Sequence, residues 1–259
     1  MDLHLNGKVV LITGGTDGLG AALADRLVEE GARVAVCGRD SGRLAATEQR
    51  LRDAGGDALV VQADVTRAAD LERFVDAAVA RWGRVDGVVN NAGKSAAGRI
   101  DQVSDDEWIA DLNLKVLAAV RCTRLALPHL IVAGGGSIVN VLNTGAKAPG
   151  AGSLPTTASR AAGLAITKAA SKDLAGHGIR VNAVLLGLVE SGQWRRRADA
   201  AGQSEEELYR QMAKNADIPL GRVGRSGEFA DLAAYLLSDR SSYVTGSSVN
   251  LDGGTSPVL

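Results

Sequence analysis

Aromatic residues make up only 3% of this 259-residue chain, and there are two cysteines and five prolines. So few rings argue against an aromatic-rich binding face. Lys and Arg are scattered along the chain at a formal net charge of −1, which removes the electrostatic footprint of a nucleic-acid binder. Cys37 and Cys122 lie in apolar runs with neither CxxC nor metal-ligand spacing. They read as buried free thiols of a reducing compartment, and no metal site is expected. No apolar run reaches about 18 residues, and the opening "MDLHLNGKVV" has no signal-peptide pattern. The expectation is a soluble, cytoplasmic protein with neither a membrane nor a nucleic-acid partner.

Glycine, by contrast, is plentiful at 32 residues, beside 46% hydrophobic and 23% charged residues. That balance suits a globular chain rich in tight turns, of a length that one core can serve. Short apolar runs recur from end to end: 8–13, 33–37, 58–63, 85–90, 137–142, 180–186 and 247–251. Most are continuous rather than alternating, the pattern of strands buried on both faces of a parallel sheet. Helical patterns separate them. Gly31 closes the first helix, Ser104 and Glu107 form a capping box before "WIADLNLKVLAAVRCTRLAL", and Ser226 reads as the cap of "GEFADLAAYLLSD". With no repeat, low-complexity tract or linker, residues 1–259 read as one domain. The βα alternation predicts an α/β, doubly wound Rossmann fold, a seven-stranded parallel sheet flanked by helices. Ligands then bind at the carboxyl ends of the strands.

Directly after the first strand, "TGGTDGLG" (13–20) runs into a helix, with Gly14, Gly18 and Gly20 spaced GxxxGxG. Glycines there let the backbone approach a pyrophosphate, and the helix start supplies amides and a favourable dipole. Gly14, Thr16, Asp17, Gly18 and Leu19 are therefore candidate cofactor contacts. The second strand ends in Gly38 and Arg39, where a cofactor with a free 2′-hydroxyl usually meets an acid. Arg39 suits a 2′-phosphate instead, which favours NADP(H) over NAD(H); the plainer alternative is a solvated loop arginine.

Further stretches fall in order and at matching separations: "ADV" (63–65), "NNAG" (90–93), Asn113 in "DLNLKVLAA", and "VTGSSVNLDGG" (244–254). With the glycine turn, they resemble the short-chain dehydrogenase/reductase family from about residue 5 to residue 254. By that resemblance Asp64 and Val65 flank an adenine, and Asn91, Ala92 and Gly93 lie along the cofactor. Gly187 also belongs to the cofactor site, and Val189 meets the nicotinamide amide. The family's catalytic set of Asn, Ser, Tyr and Lys falls on Asn113, Asn143, Thr156 and Arg160, so one member of four is retained. The family's Pro-Gly before the substrate loop is Leu186-Gly187 here.

The departures bear on proton chemistry. In the family a Tyr exchanges a proton with the substrate oxygen, and the Lys draws its pKa down from about 10. A Thr hydroxyl is far too weak an acid for that role, no neighbouring cation is expected to close the gap, and an Arg does not give up its proton. Arg160 keeps the ability to bind the nicotinamide ribose, while Asn143 and Thr156 keep the ability to polarise a carbonyl. Asn113, on a helix face marked by Ile109, Val116 and Val120, has a structural role and an open catalytic one. Lys94 and Lys147 are substitute proton donors or solvated loop lysines. His4, His129 and His177 lie in segments distant from the strand ends. The 191–217 segment corresponds to the family's substrate-covering loop. Its Trp194 and basic run 195–197 suit an acidic substrate or else form a solvated helix face. Ala158, Ala161, Ala162, Ala165 and Ala169 allow close helix approach, and the resemblance implies a homotetramer or homodimer.

Three functions remain open. One is an NADP(H)-dependent oxidoreductase with an altered relay, acting on a carbonyl, quinone, imine or enone. The others are a non-redox lyase or isomerase on the same scaffold, and a catalytically silent NADP(H)-binding protein.

Overall fold

In the computed structural model, which describes residues 1–259, alternate residues of the first strand enter different cores. Strand β1 (Val9–Thr13) sends Val10 and Ile12 into a cluster with Leu23, Leu27 and Phe229, and Leu11 into another with Leu71, Phe74 and Cys122. A strand buried on both sides needs no polar alternation, hence the continuous apolar run. The same holds for β2 (Arg33–Gly38), β4 (Gly87–Asn90), β5 (Gly136–Asn143) and β6 (Ile179–Leu186), whereas β3 (Ala58–Gln62) and β7 (Ser248–Leu251) are half-buried edges. The seven strands form one sheet in the order β3-β2-β1-β4-β5-β6-β7, and every pairing within it is parallel. Strand ends differ from the expected ones by one or two residues.

Helices α1 (Gly18–Glu29), α2 (Ser41–Asp53) and α9 (Ser226–Leu237) cover one face. Helices α3 (Ala68–Trp82), α5 (Ala118–Val132) and α6 (Thr156–Asp173) cover the other. Order reverses between β1 and β4, so the carboxyl ends of those strands splay apart into a crevice. Both cysteines are buried, free thiols, and burial pushes Cys37 up to about 12.

Gly31 takes φ +75° just past α1, and the Ser104–Glu107 capping box forms at the start of α4 (Asp105–Leu112). Two expectations are corrected. The cap of α9 is Arg225, whose N–H donates to the Glu228 carboxylate, and Ser226 is already the first helical residue. Ile109 is 64% exposed and does not share the face of Val116 and Val120. Between α4 and α5 the backbone widens into a π-turn at Asn113–Leu117, and the Ala118 N–H donates to the Asn113 carbonyl. One inserted residue turns the following helix by about 100°, so the two halves present different faces.

Candidate functional site

Two turns meet at the crevice and are tied by Thr13 and Asn91. Thr13 Oγ1 accepts from the Asn91 and Ala92 N–H groups, each at 3.1 Å, and the Asn91 amide donates to the carbonyls of Thr13 and Gly14 at 3.0 Å. A side chain at Gly14, φ +69°, would put its Cβ 3.0 Å from the Ala92 Cα. Only glycine permits both the turn and the approach. Asp17, at the N-cap of α1, makes no capping bond, although the Gly18 N–H lies against its carboxylate.

The Asp17 carboxylate faces Arg196 at 2.7 Å and Arg43 at 3.3 Å. Burial works to raise it, but Arg196 and Arg43 outweigh that and hold it below the usual carboxylate range. Gly38 is required because a Cβ there would lie 2.9 Å from Thr16 Oγ1. The next residue, Arg39, is 77% exposed, with its guanidinium 4.0 Å from Asp64. Asp64 itself is fixed by the Thr66 N–H and hydroxyl, at 2.9 and 2.7 Å. Val65 and Val189 are buried, Leu19 packs against the α1-side core, and a Cβ at Gly187 would lie 2.7 Å from that of Asp252.

At the end of β5, Asn143 carries a buried Oδ1 with no partner. Arg160 crosses from α6 beneath the Asn91–Gly93 turn: Nη1 donates to the Val141 carbonyl at 2.8 Å, and Nη2 lies 2.7 Å from where a Gly93 Cβ would stand. Its buried Nε has no partner. Burial pushes the guanidinium down to about 10, against the opposing pull of Asp111. Ser191 Oγ, beside Gly18 and after β6, is a third buried polar atom without a partner.

Thr156, at the start of α6, is buried, and a cation that the sequence did not single out stands beside it. The fully buried Lys115 Nζ donates to Thr156 Oγ1 at 2.7 Å and pairs with Asp111. Ser159 Oγ donates to the other Asp111 oxygen at 2.6 Å. Burial lowers the Lys115 pKa, the Asp111 bond resists, and Arg160 and Lys94 push it further down. Asn113 sits apart from this cluster. Its Oδ1 accepts from Arg121 at 2.7 Å, and its amide reaches the Thr66 carbonyl at 3.4 Å, which pins the π-turn to the loop after β3.

Asp111, Lys115, Ser159 and Ser191 were not singled out from the sequence. The i,i+4 spacing of Asp111 and Lys115 was the available sign, but such pairs are ordinarily solvated. Of the two loop lysines that were singled out, Lys94 is exposed and Lys147 donates to Asn250 at 3.3 Å. The 191–217 segment folds as α7 (Gly192–Ala201) and α8 (Glu205–Asn215). Its basic run is largely satisfied internally: Arg195 pairs with Glu205 at 3.2 Å, Arg196 with Asp17, and Arg197 lies over the Trp194 ring. A cleft of about 480 Å³ opens between these helices and the glycine turn, lined by Asp17, Gly18, Arg43, Ser191, Arg195 and Tyr209.

A family model described as enoyl-(acyl carrier protein) reductase matches residues 14–256. A putative ketoacyl reductase of the granaticin polyketide synthase of Streptomyces violaceoruber is 37% identical over 256 residues, covering 95% of this chain and 92% of the relative. Among solved structures, an NADPH-bound short chain oxidoreductase from Pseudomonas aeruginosa PAO1, described as containing an atypical catalytic center, superposes with a TM-score of 0.92. It is 36% identical, over 97% of this chain and 98% of the other. The L-sorbose reductase of Gluconobacter frateurii, complexed with NADPH and L-sorbose, superposes with a TM-score of 0.94 at 28% identity, over 100% of each chain.

Proposed function

Since the chain belongs to the short-chain dehydrogenase/reductase family, we propose that it moves hydride between NADP(H) and a small organic acceptor through a site with altered proton chemistry. The observation that carries this is that three of the buried polar side-chain atoms without a partner, Arg160 Nε, Asn143 Oδ1 and Ser191 Oγ, belong to residues at or beside the carboxyl ends of the strands. Unpaired buried polar atoms are costly, and here each is one that a bound polar ligand would satisfy. The residues fit NADP(H). The start of α1, with Gly14, Thr16, Gly18 and Leu19 around it, would hold the pyrophosphate, and Ser191 would add a hydroxyl. Arg39 meets the 2′-phosphate, and Asp64 and Val65 flank the adenine. Asn91, Ala92 and Gly93 line the path to the nicotinamide, where Arg160 takes the ribose and Gly187 and Val189 border the ring. NADPH, when bound, supplies the hydride. Asn143 and Thr156 orient and polarise the acceptor, a carbonyl, quinone, imine or enone, and Asn113 holds the helix turn behind them.

Residues 1–259 act as one domain, with 191–217 as its substrate cover, latched to the glycine turn through Arg196 and Asp17. The pairing of Arg195 and Arg196 within the chain favours a neutral substrate over an acidic one. Exposed Ala161, Ala165 and Ala169 on α6 suit self-association through that helix, in a homotetramer or homodimer. The test is NADPH oxidation by the purified protein with each of the four acceptor classes. Turnover of at least one class above the uncatalysed rate is expected; no turnover of any class contradicts the reading.

A further inference from the structure

Thr156 Oγ1 accepts two hydrogen bonds, from the Ala96 N–H at 2.9 Å and from Lys115 Nζ at 2.7 Å. A hydroxyl has two acceptor lone pairs and one hydrogen. Both lone pairs are taken, and no protein group accepts the hydrogen, which leaves it for a substrate oxygen. Behind it stands an ammonium with no solvent exposure, held by Asp111, which is held in turn by Ser159. The groups facing Lys115 are Asp111 one turn back, Thr156 and Arg160 on α6, and Lys94 after β4.

We infer that Lys115 is the proton source for carbonyl reduction and that Thr156 is its relay to the substrate oxygen. This rests on the hydride-transfer function proposed above. As the carbonyl carbon accepts the hydride, the C=O π pair moves onto oxygen, which takes the hydrogen from Thr156 Oγ1. The Thr156 oxygen takes one from Lys115 Nζ as that N–H bond breaks. The neutral amine left beside the Asp111 carboxylate, having no contact with solvent, regains its proton back through the Thr156 hydroxyl from water that enters as the product leaves, and the ketone has become an alcohol at the expense of NADPH. A threonine is too weak an acid to end such a step charged, but a hydroxyl that gains a proton as it loses one never carries the charge. Burial and the two neighbouring cations make Lys115 a stronger acid than a solvated lysine, while the bond to Asp111 opposes them and favours the protonated form.

Thr156→Val removes the relay and leaves the Lys115–Asp111 pair intact, so it tests the inference without unpairing a buried charge. In Thr156→Val, kcat for a ketone falls by about 10²-fold or more with KM little changed, and Thr156→Ser restores it. In the wild type and Thr156→Ser, kcat falls as pH rises through the Lys115 pKa, because the acid form is lost; that limb is absent from Thr156→Val. The Lys115 pKa is read independently, in the cofactor-free protein, from its Cε resonance by NMR, and matches the limb. Wild-type ketone turnover with an unchanged rate and pH profile in Thr156→Val overturns the inference alone. So does a Lys115 pKa away from the limb, or a wild type that reduces quinones but not ketones. No NADPH oxidation with any acceptor overturns the proposed function and this inference with it.

Discussion

Arg39 and Asp64 stand at opposite sides of the same corner, and their charges decide which cofactor fits there. The Arg39 side chain is largely solvated and 4.0 Å from Asp64, too loose a pair to hold it, so it is free to turn toward a 2′-phosphate. A charge-assisted hydrogen bond of this kind contributes about 1.5–3 kcal/mol. Arg39→Ala is therefore expected to weaken NADPH binding about 10- to 100-fold and leave NADH binding nearly unchanged, as measured by titration of each. An equal loss for both would show that Arg39 does not read the phosphate. The proposal for Arg39 comes from its position in the sequence, since the corner after β2 receives either an acid or a base. Lys115 was not legible for the opposite reason. Its role depends on burial, and its position in a helix read as regular gave no sign that it turns inward to Thr156.

The reason lies in the π-turn at Asn113–Leu117. Hydrophobic periodicity locates helices by assuming one phase from end to end, and a single inserted residue breaks that phase. Before the turn, Ile109 faces solvent; within and after it, Val116 and Val120 line the groove between α5 and α6. Features that depend on a residue and its immediate neighbours were legible. The Ser104–Glu107 capping box is one, with the Ser104 N–H donating to the Glu107 carboxylate at 2.8 Å and the Glu107 N–H to Ser104 Oγ at 3.4 Å. Ser104→Ala leaves a helix-terminal N–H without its acceptor and is expected to lower stability by about 1 kcal/mol, read from the denaturant midpoint at unchanged slope. An unaltered midpoint would mean that water satisfies the amide as well. The α7–α8 segment was the least legible element, since its helices are polar on most faces and its partners, Asp17 above all, lie far away in the chain.

The whole molecule is a sheet with a core on each face, and that arrangement follows from the continuous apolar strands. Because the chain leaves β1 toward the α1 face and β4 toward the α5 face, the two turns tied by Thr13 and Asn91 border one crevice, and α6 brings Arg160 and Thr156 to its far side. None of the 18-residue stretches of its helices is apolar enough to cross a membrane. The order of motifs revealed the family and the fold because both depend on strand-turn-helix sequence alone. The substrate stayed hidden because the loops and α7–α8, proposed above as its cover, make contacts that no periodicity encodes. What the account requires above all is that this crevice take NADPH with Thr156 and Arg160 in the places where the resemblance puts the family's Tyr and Lys. Titration of NADPH into the purified protein, followed by nicotinamide fluorescence, tests that directly. The account predicts a saturable change complete below about 1 mM, within the range of working cofactor affinities. No change up to that concentration would contradict it.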